Sequence, residues 1–214
     1  MTPPAGRAVP AGERAARAGG SLEHAKGAAM RREIRITGFG GQGVVLAGYI
    51  LGKAATVYDH KAATLVQSYG PEARGSACAA QVVVADETIH YPYVRRQEVL
   101  VAMSQEGFDT YVGDVAPEGT LLYDEDLVEF SAVPANASLV AAIPATRMAE
   151  KMGRRMAANI VMLGFMVGCT GLVSAEAVRE AVRTSVPPGT EDFNLAALEQ
   201  GLQHAASVLQ REKG

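Results

Sequence analysis

The chain has 214 residues, 48% hydrophobic and 20% charged, with a formal net charge of −3 at pH 7. That is globular composition with material for one sizeable core, and the charge gives no reason to expect nucleic acid as a partner. Two cysteines, Cys78 and Cys169, are too few for an iron–sulfur cluster or a Cys-rich zinc site and form no disulfide framework, which fits a reducing cytoplasm.

Residues 1–30 are rich in Ala, Gly, Pro and Arg and lack hydrophobic periodicity. They read as a disordered leader without the apolar core of a signal peptide, and Met30 is an alternative start. The leader is basic: residues 1–32 carry six basic and two acidic groups, against 14 and 21 in the remainder. Residues 31–214 read as a single domain. No apolar run reaches the ~18–20 residues that span a membrane.

From Glu33 the pattern alternates between strands and helices. Strands are expected at 33–37, 61–67 and 77–86, with a turn and short strand at 87–94. The continuous apolar run 98–103 suits a strand buried on both faces. Further strands are expected at 119–124 and 138–145. Helices are expected at 44–58 and at 104–115, the latter with Ser104 as N-cap. The C-terminal third reads as helical: a long apolar stretch over 146–168, a helix at 174–184 with Ser174 and Glu176 as start signals, and a last helix from about 191 to 211. Alternation of this kind predicts an α/β fold, a Rossmann-like sandwich around a mixed or mostly parallel sheet.

The first strand runs into Gly38-Phe39-Gly40-Gly41-Gln42-Gly43 and then a helix, the context of a dinucleotide fingerprint. In that reading Gly38 permits a tight turn, Gly40 lets a ligand approach, and Gly43 lets the helix pack close to the strand. The helix N-terminus offers free N–H groups to an anion. The acid that should hold a ribose at the end of the second strand is missing: Asp59 precedes that strand, which ends at Gln67-Ser68. Bound dinucleotide, tight packing, and an anion or partner contact all remain open. Gly48 and Gly52, four apart on the following helix, suggest close packing against the sheet or another subunit.

A second motif follows the second strand. Tyr69, Gly70, Pro71, Glu72, Arg74 and Gly75 form a turn with polar groups suited to gripping a partner or an anion, or simply a solvated surface turn. Arg147, Lys151, Arg154 and Arg155 would share one side of a helix, ordinarily a solvated face, otherwise a contact for an acidic partner or phosphate. His60, His90 and His204 are isolated, so no metal site is expected. The methionines of 148–166 suit packing.

The stretch "GFGGQGVVLAGYILGKAA" followed by "SYGPEARGSACAAQVVVAD" resembles the gamma subunit of 2-oxoacid:ferredoxin oxidoreductases, as do "NIVMLGFMVGCTGLVS" and "EDFNLAALEQG". The likeness covers roughly 33–205 and is closest to the 2-oxoglutarate type. One departure is Ser76, where the family usually has glycine. The resemblance implies a subunit of a complex that oxidatively decarboxylates a 2-oxoacid, with coenzyme A taking the acyl group and ferredoxin the electrons. Thiamine diphosphate, Mg and iron–sulfur clusters are then expected on partner subunits, alpha, beta and a ferredoxin-like delta. No catalytic residue is expected here. The glycine loop becomes an anion or partner loop, and the 69–76 loop, with Arg74 as its charge, would face coenzyme A or the thiamine-bearing subunits. The alternative is a self-sufficient NAD(P)- or flavin-binding oxidoreductase, or else a pure interaction module.

Overall fold

A computed structural model describes residues 30–69, 77–132 and 134–211. All of the expected leader 1–30 except Met30, and most of the second motif, 70–76, lie outside the described residues. Six strands form one sheet in the order β2-β3-β1-β4-β5-β6: β1 (Arg31–Phe39), β2 (Ala62–Tyr69), β3 (Ala77–Ala85), β4 (Val99–Ala102), β5 (Gly119–Asp124) and β6 (Ala137–Ile143). β1, β4, β5 and β6 are parallel neighbours, while β3 runs antiparallel to both β1 and β2. The expected α/β architecture with a mixed sheet is what forms.

The helices are α1 (Val44–Lys53), α2 (Gln105–Tyr111), α3 (Ala145–Lys151), α4 (Ala158–Thr170), α5 (Ala175–Arg183) and α6 (Glu191–Arg211). α1 continues into one π-helical turn, Ala54–Tyr58. Ser104 and Ser174 cap as expected, their hydroxyls accepting from Gly107 N and Ala177 N, each at 3.1 Å.

Strand alternation divides the sheet into two faces. Ile34, Ile36, Val82 and Val101 point to one face, buried in a single core with α1, α4, α5 and α6. Leu100, Ala102, Leu121 and Tyr123 point to the other, packed beneath Phe108 of α2 and Val128. On that second face β1 presents polar side chains, Glu33, Arg35 and Thr37, all at least nine-tenths buried. The helical layer is drawn tight where α4 crosses α6. A Cβ at Gly201 would lie 2.0 Å from Val161 O, and one at Gly164 would lie 2.2 Å from Leu198 O, so the two backbones touch. Of the α1 pair, only Gly48 meets a close neighbour, with a Cβ there 2.8 Å from Ala80 Cβ on the sheet; around Gly52 there is open space.

Two expectations fail. Residues 87–94 contain no strand. The segment crosses the sheet face as a loop, held by side chains rather than by a ladder: Pro92 O accepts from Thr64 Oγ1 (3.2 Å), and Val94 N donates to Gln81 Oε1 (3.2 Å). The stretch 146–168 is two helices. Gly153, at φ 95°, ends α3 in a Schellman arrangement, with Gly153 N on Glu150 O and Arg154 N on Ala149 O. The basic set therefore does not share a helix face. Arg147 pairs with Glu125 and Asp126, Arg155 approaches Glu150 at 3.7 Å, and Arg154 lies over the Phe193 ring.

Candidate functional site

The glycine loop leaves the sheet at the carboxyl end of β1 and β4 and delivers the chain into α1. Its glycines work differently from the fingerprint assignment. Gly38 is not in the turn; it is a β1 residue paired with Cys78, where a Cβ would lie 2.4 Å from Gln42 Oε1 and 2.9 Å from Val44 Cγ2. Gly41 and Gly43 carry the turn, at φ 98° and 75°, values that cost other residues strain. Gly43 also abuts Asn159 of α4, whose Nδ2 would be 2.3 Å from a Cβ there. Gly40 is exposed.

Two amide side chains hold the loop in place. Gln42 Oε1 accepts from Phe39 N (2.6 Å), and Gln42 Nε2 donates to Met103 O (3.0 Å), tying the loop to the residue that follows β4. Asn159 is 3% exposed and donates to Gly43 O (3.1 Å), which also accepts Ala47 N of α1 (3.0 Å). Gln42 thus uses its carbonyl on the loop and its amide on the residue after β4.

The strand order explains the missing ribose acid. In a dinucleotide fold the second strand lies beside the first and parallel to it. Here β1 is flanked on that side by antiparallel β3, and β2 lies beyond. Asp59 is engaged elsewhere, accepting from Ser174 N (2.6 Å) and Ser174 Oγ (2.7 Å) at the start of α5. The same topology brings the two sequence motifs together. β2 ends at Tyr69 opposite Cys78, and β3 begins at Ala77 opposite Phe39. The strand ends that flank the second motif, Tyr69 and Ala77, therefore lie beside the start of the glycine loop, while Gly70, Pro71, Glu72, Arg74 and Gly75 are outside the described residues.

Next to the loop is a cleft of about 140 Å³ lined by Gly41, Gln42, Met103, Thr146, Arg155 and Met156. Its lining is largely apolar, with Arg155 as the one charged side chain, 3.7 Å from Glu150. The α1 N-terminus has no side-chain cap and no acid in its first turn, Arg155 is exposed, and Met156 is 79% exposed. Beneath it Asp124, fully buried at the end of β5, accepts from Thr146 N (2.9 Å), Thr146 Oγ1 (2.6 Å) and Asp126 N (3.1 Å). Burial pushes its carboxyl above the ordinary aspartate value, against the opposing pull of those hydrogen bonds. It orders the start of α3 and is not presented to the cleft's solvent.

Among the described residues no group of three or more His, Cys, Asp or Glu side chains could hold a metal ion. Cys78 and Cys169 are buried on separate elements, β3 and α4, and burial raises the Cys78 thiol. His204 is packed into the fold, Nε2 3.1 Å from Ala142 O, whereas His60 and His90 are exposed. No helix among the described residues is long and apolar enough to cross a membrane. Sequence reasoning passed over Asn159, Asp124 and Arg35. Asn159 is a polar residue inside an otherwise apolar run, whereas Arg35 fits the polar–apolar alternation of 33–37 and Asp124 opens an acidic stretch, so nothing local sets those two apart.

The family model described as "Pyruvate ferredoxin/flavodoxin oxidoreductase" matches residues 33–204. The 2-oxoglutarate synthase subunit KorC of Methanothermobacter marburgensis is 51% identical over 178 residues, 80% of this chain and 95% of the relative. Its counterpart from Methanocaldococcus jannaschii is 48% identical over 84% of this chain and 96% of the relative. Among solved structures, the gamma subunit of a keto/oxoacid ferredoxin oxidoreductase from Geobacter sulfurreducens superposes with a TM-score of 0.72 at 39% identity, covering 82% of this chain and 99% of that one.

Proposed function

We propose, from the premise that the chain belongs to the pyruvate ferredoxin/flavodoxin oxidoreductase family, that it is the gamma subunit of a 2-oxoglutarate:ferredoxin oxidoreductase. The complex converts 2-oxoglutarate and coenzyme A to succinyl-coenzyme A and carbon dioxide, and two ferredoxins each accept one electron. The observation that carries this is the 51% identity to a 2-oxoglutarate synthase subunit along 95% of that subunit's length. A glycine loop stabilised by the protein's own amides, with no ribose acid beside it, agrees with a subunit that does not hold a redox nucleotide.

Thiamine diphosphate, Mg and iron–sulfur clusters do not fit the described residues of this chain. Two buried thiols on separate elements cannot ligate a cluster, and no carboxylate-rich metal site exists among the described residues. Those groups belong to the alpha, beta and ferredoxin-like delta subunits, and the setting is the cytoplasm. The contribution of this chain is to complete the assembly and to shape the coenzyme A entrance. The glycine loop lies beside the strand ends Tyr69 and Ala77, and in this reading it and the 69–76 segment contribute to that entrance. Arg74 supplies a guanidinium for a coenzyme A phosphate or a partner carboxylate.

The test is Arg74→Ala in the purified complex. Weaker assembly, or a raised coenzyme A requirement of about tenfold (the loss of one charge-assisted contact), is expected. Unchanged assembly together with unchanged coenzyme A dependence would remove the loop from this role.

A further inference from the structure

The second face of the sheet is unevenly covered. α2 and the residues up to Phe130 pack over β4 and β5. α2 reaches across to Thr37 at the end of β1 and to the neighbouring part of β3; over β2, the rest of β3 and the first half of β1 the described residues place no helix, only the loop 86–98. β2 is also an edge strand, and its residues 62–66 are only half buried.

The loop is firmly held. Glu33 Oε2 accepts from Arg95 N (2.7 Å) and Arg96 N (3.0 Å), and its Oε1 accepts from Arg31. Burial tends to raise the Glu33 carboxyl, but these hydrogen bonds win and hold it below the ordinary glutamate value. The loop displays Tyr91 and Tyr93, 43% and 51% exposed with ring centroids 5.5 Å apart, and Arg95 lies 4.4 Å over the Tyr91 ring. Exposed tyrosine and arginine on a rigid support are the composition of interface anchors. A cavity of about 460 Å³ opens beside them.

Beside the loop is Arg35, paired in β1 with Gln81, the residue that receives Val94 N. Arg35 is 8% exposed. Its guanidinium stacks on the Tyr111 ring at 4.2 Å, and its buried Nε has no hydrogen-bond acceptor. Gln97, fully buried, donates to Tyr111 O (2.6 Å) and leaves Oε1 unpaired. Among the described residues, neither Arg35, Arg95 nor Arg96 has a carboxylate within ion-pair distance. The neighbouring acids are committed or peripheral: Glu33 to Arg31 and the loop, Glu98 to Arg32, Asp86 to Met30 N, with Glu87 and Asp114 exposed at the margins. A guanidinium kept largely from water without a counter-charge is costly unless its partner arrives from outside. Tyr111, which roofs it, is only half buried, so the way in is short.

We propose that this half-face docks a carboxylate-presenting surface of a partner subunit, one acid pairing with Arg35 and the Tyr91–Tyr93–Arg95 ridge gripping the rim. The inference rests on membership of a multi-subunit complex and adds a second contact surface, away from the glycine loop.

The experiment titrates the full chain into its purified partner subunits and, separately, melts the free chain. Tyr93→Ala and Arg95→Glu should each weaken association about tenfold or more while leaving the free chain's melting point within about 2 °C. Arg35→Met should weaken association while the free chain melts at or above the wild-type temperature, because an unpaired buried charge has been removed. A purely structural arginine would do the opposite, lowering the melting point without changing association, and that result overturns the proposal. So would wild-type association in the Tyr93 and Arg95 variants, displacement of the partner by inorganic phosphate, or a homodimer of this chain that the same variants disperse. A wild-type chain that fails to bind the partner subunits at all overturns complex membership itself, and this proposal with it.

Discussion

Gly43→Ala tests the construction of the glycine loop. An alanine at φ 75° pays about 1–2 kcal/mol for the left-handed conformation. Its Cβ would also lie 2.3 Å from Asn159 Nδ2, so the Asn159 amide must leave Gly43 O. Losing that buried hydrogen bond adds about 1 kcal/mol. The expected total is about 2–3 kcal/mol, or a melting point lower by about 4–12 °C for a chain of this size. Asn159→Ala should cost about 1–2 kcal/mol, partly the same hydrogen bond. Thermal unfolding of both single variants and the double variant closes the cycle. The double variant should lose about 1 kcal/mol less than the sum, because the shared contact is lost only once. Strict additivity, or a Gly43→Ala chain as stable as wild type, would refute the view that Asn159 supports the loop.

Gly201→Ala and Gly52→Ala make the same helix-favouring substitution and should move stability in opposite directions. At 201 the methyl would meet the backbone of α4 at 2.0 Å, and forcing the helices apart should cost about 3 kcal/mol. At 52 nothing lies within 4 Å, and a gain of up to about 1 kcal/mol is expected in a melting experiment. Glu33 gives a pH signature. Because its folded carboxyl titrates below the unfolded value, its stabilisation is present above the ordinary glutamate value and is lost as pH falls through the folded one. Glu33→Gln should therefore lower stability at neutral pH and flatten the acid limb of a stability-versus-pH curve; an unchanged acid limb would assign that limb to other groups.

Much of this fold is legible in the sequence wherever one local rule acts alone. Alternation placed the strands, Ser104 and Ser174 marked two helix starts, and α6 runs over the residues its pattern indicates. The misses occur where rules compete. The apolar run through 146–168 masked Gly153, whose left-handed backbone ends α3, because hydrophobic periodicity continues across a turn that its chemistry forbids. Residues 87–94 have strand-like composition, yet their hydrogen bonds go to side chains of β1, β2 and β3, contacts made by residues distant in sequence. For the site, the loop glycines were visible but their roles were not. Which glycine needs a positive φ and which needs space depends on Gln42 folding back and on Asn159 arriving from α4. The antiparallel insertion of β3 beside β1 displaces the strand that would carry a ribose acid, and no local pattern encodes that pairing.

The most direct measurement is reconstitution of oxidoreductase activity. The partner subunits carrying thiamine diphosphate and iron–sulfur clusters are assayed for 2-oxoglutarate- and coenzyme A-dependent ferredoxin reduction, with and without this chain, beside the chain alone. The gamma-subunit assignment predicts full activity only when the chain is present, and neither activity nor stoichiometric NAD(P) or flavin binding by the chain alone. Tight nucleotide binding by the isolated chain, or undiminished activity of a complex assembled without it, would contradict the assignment.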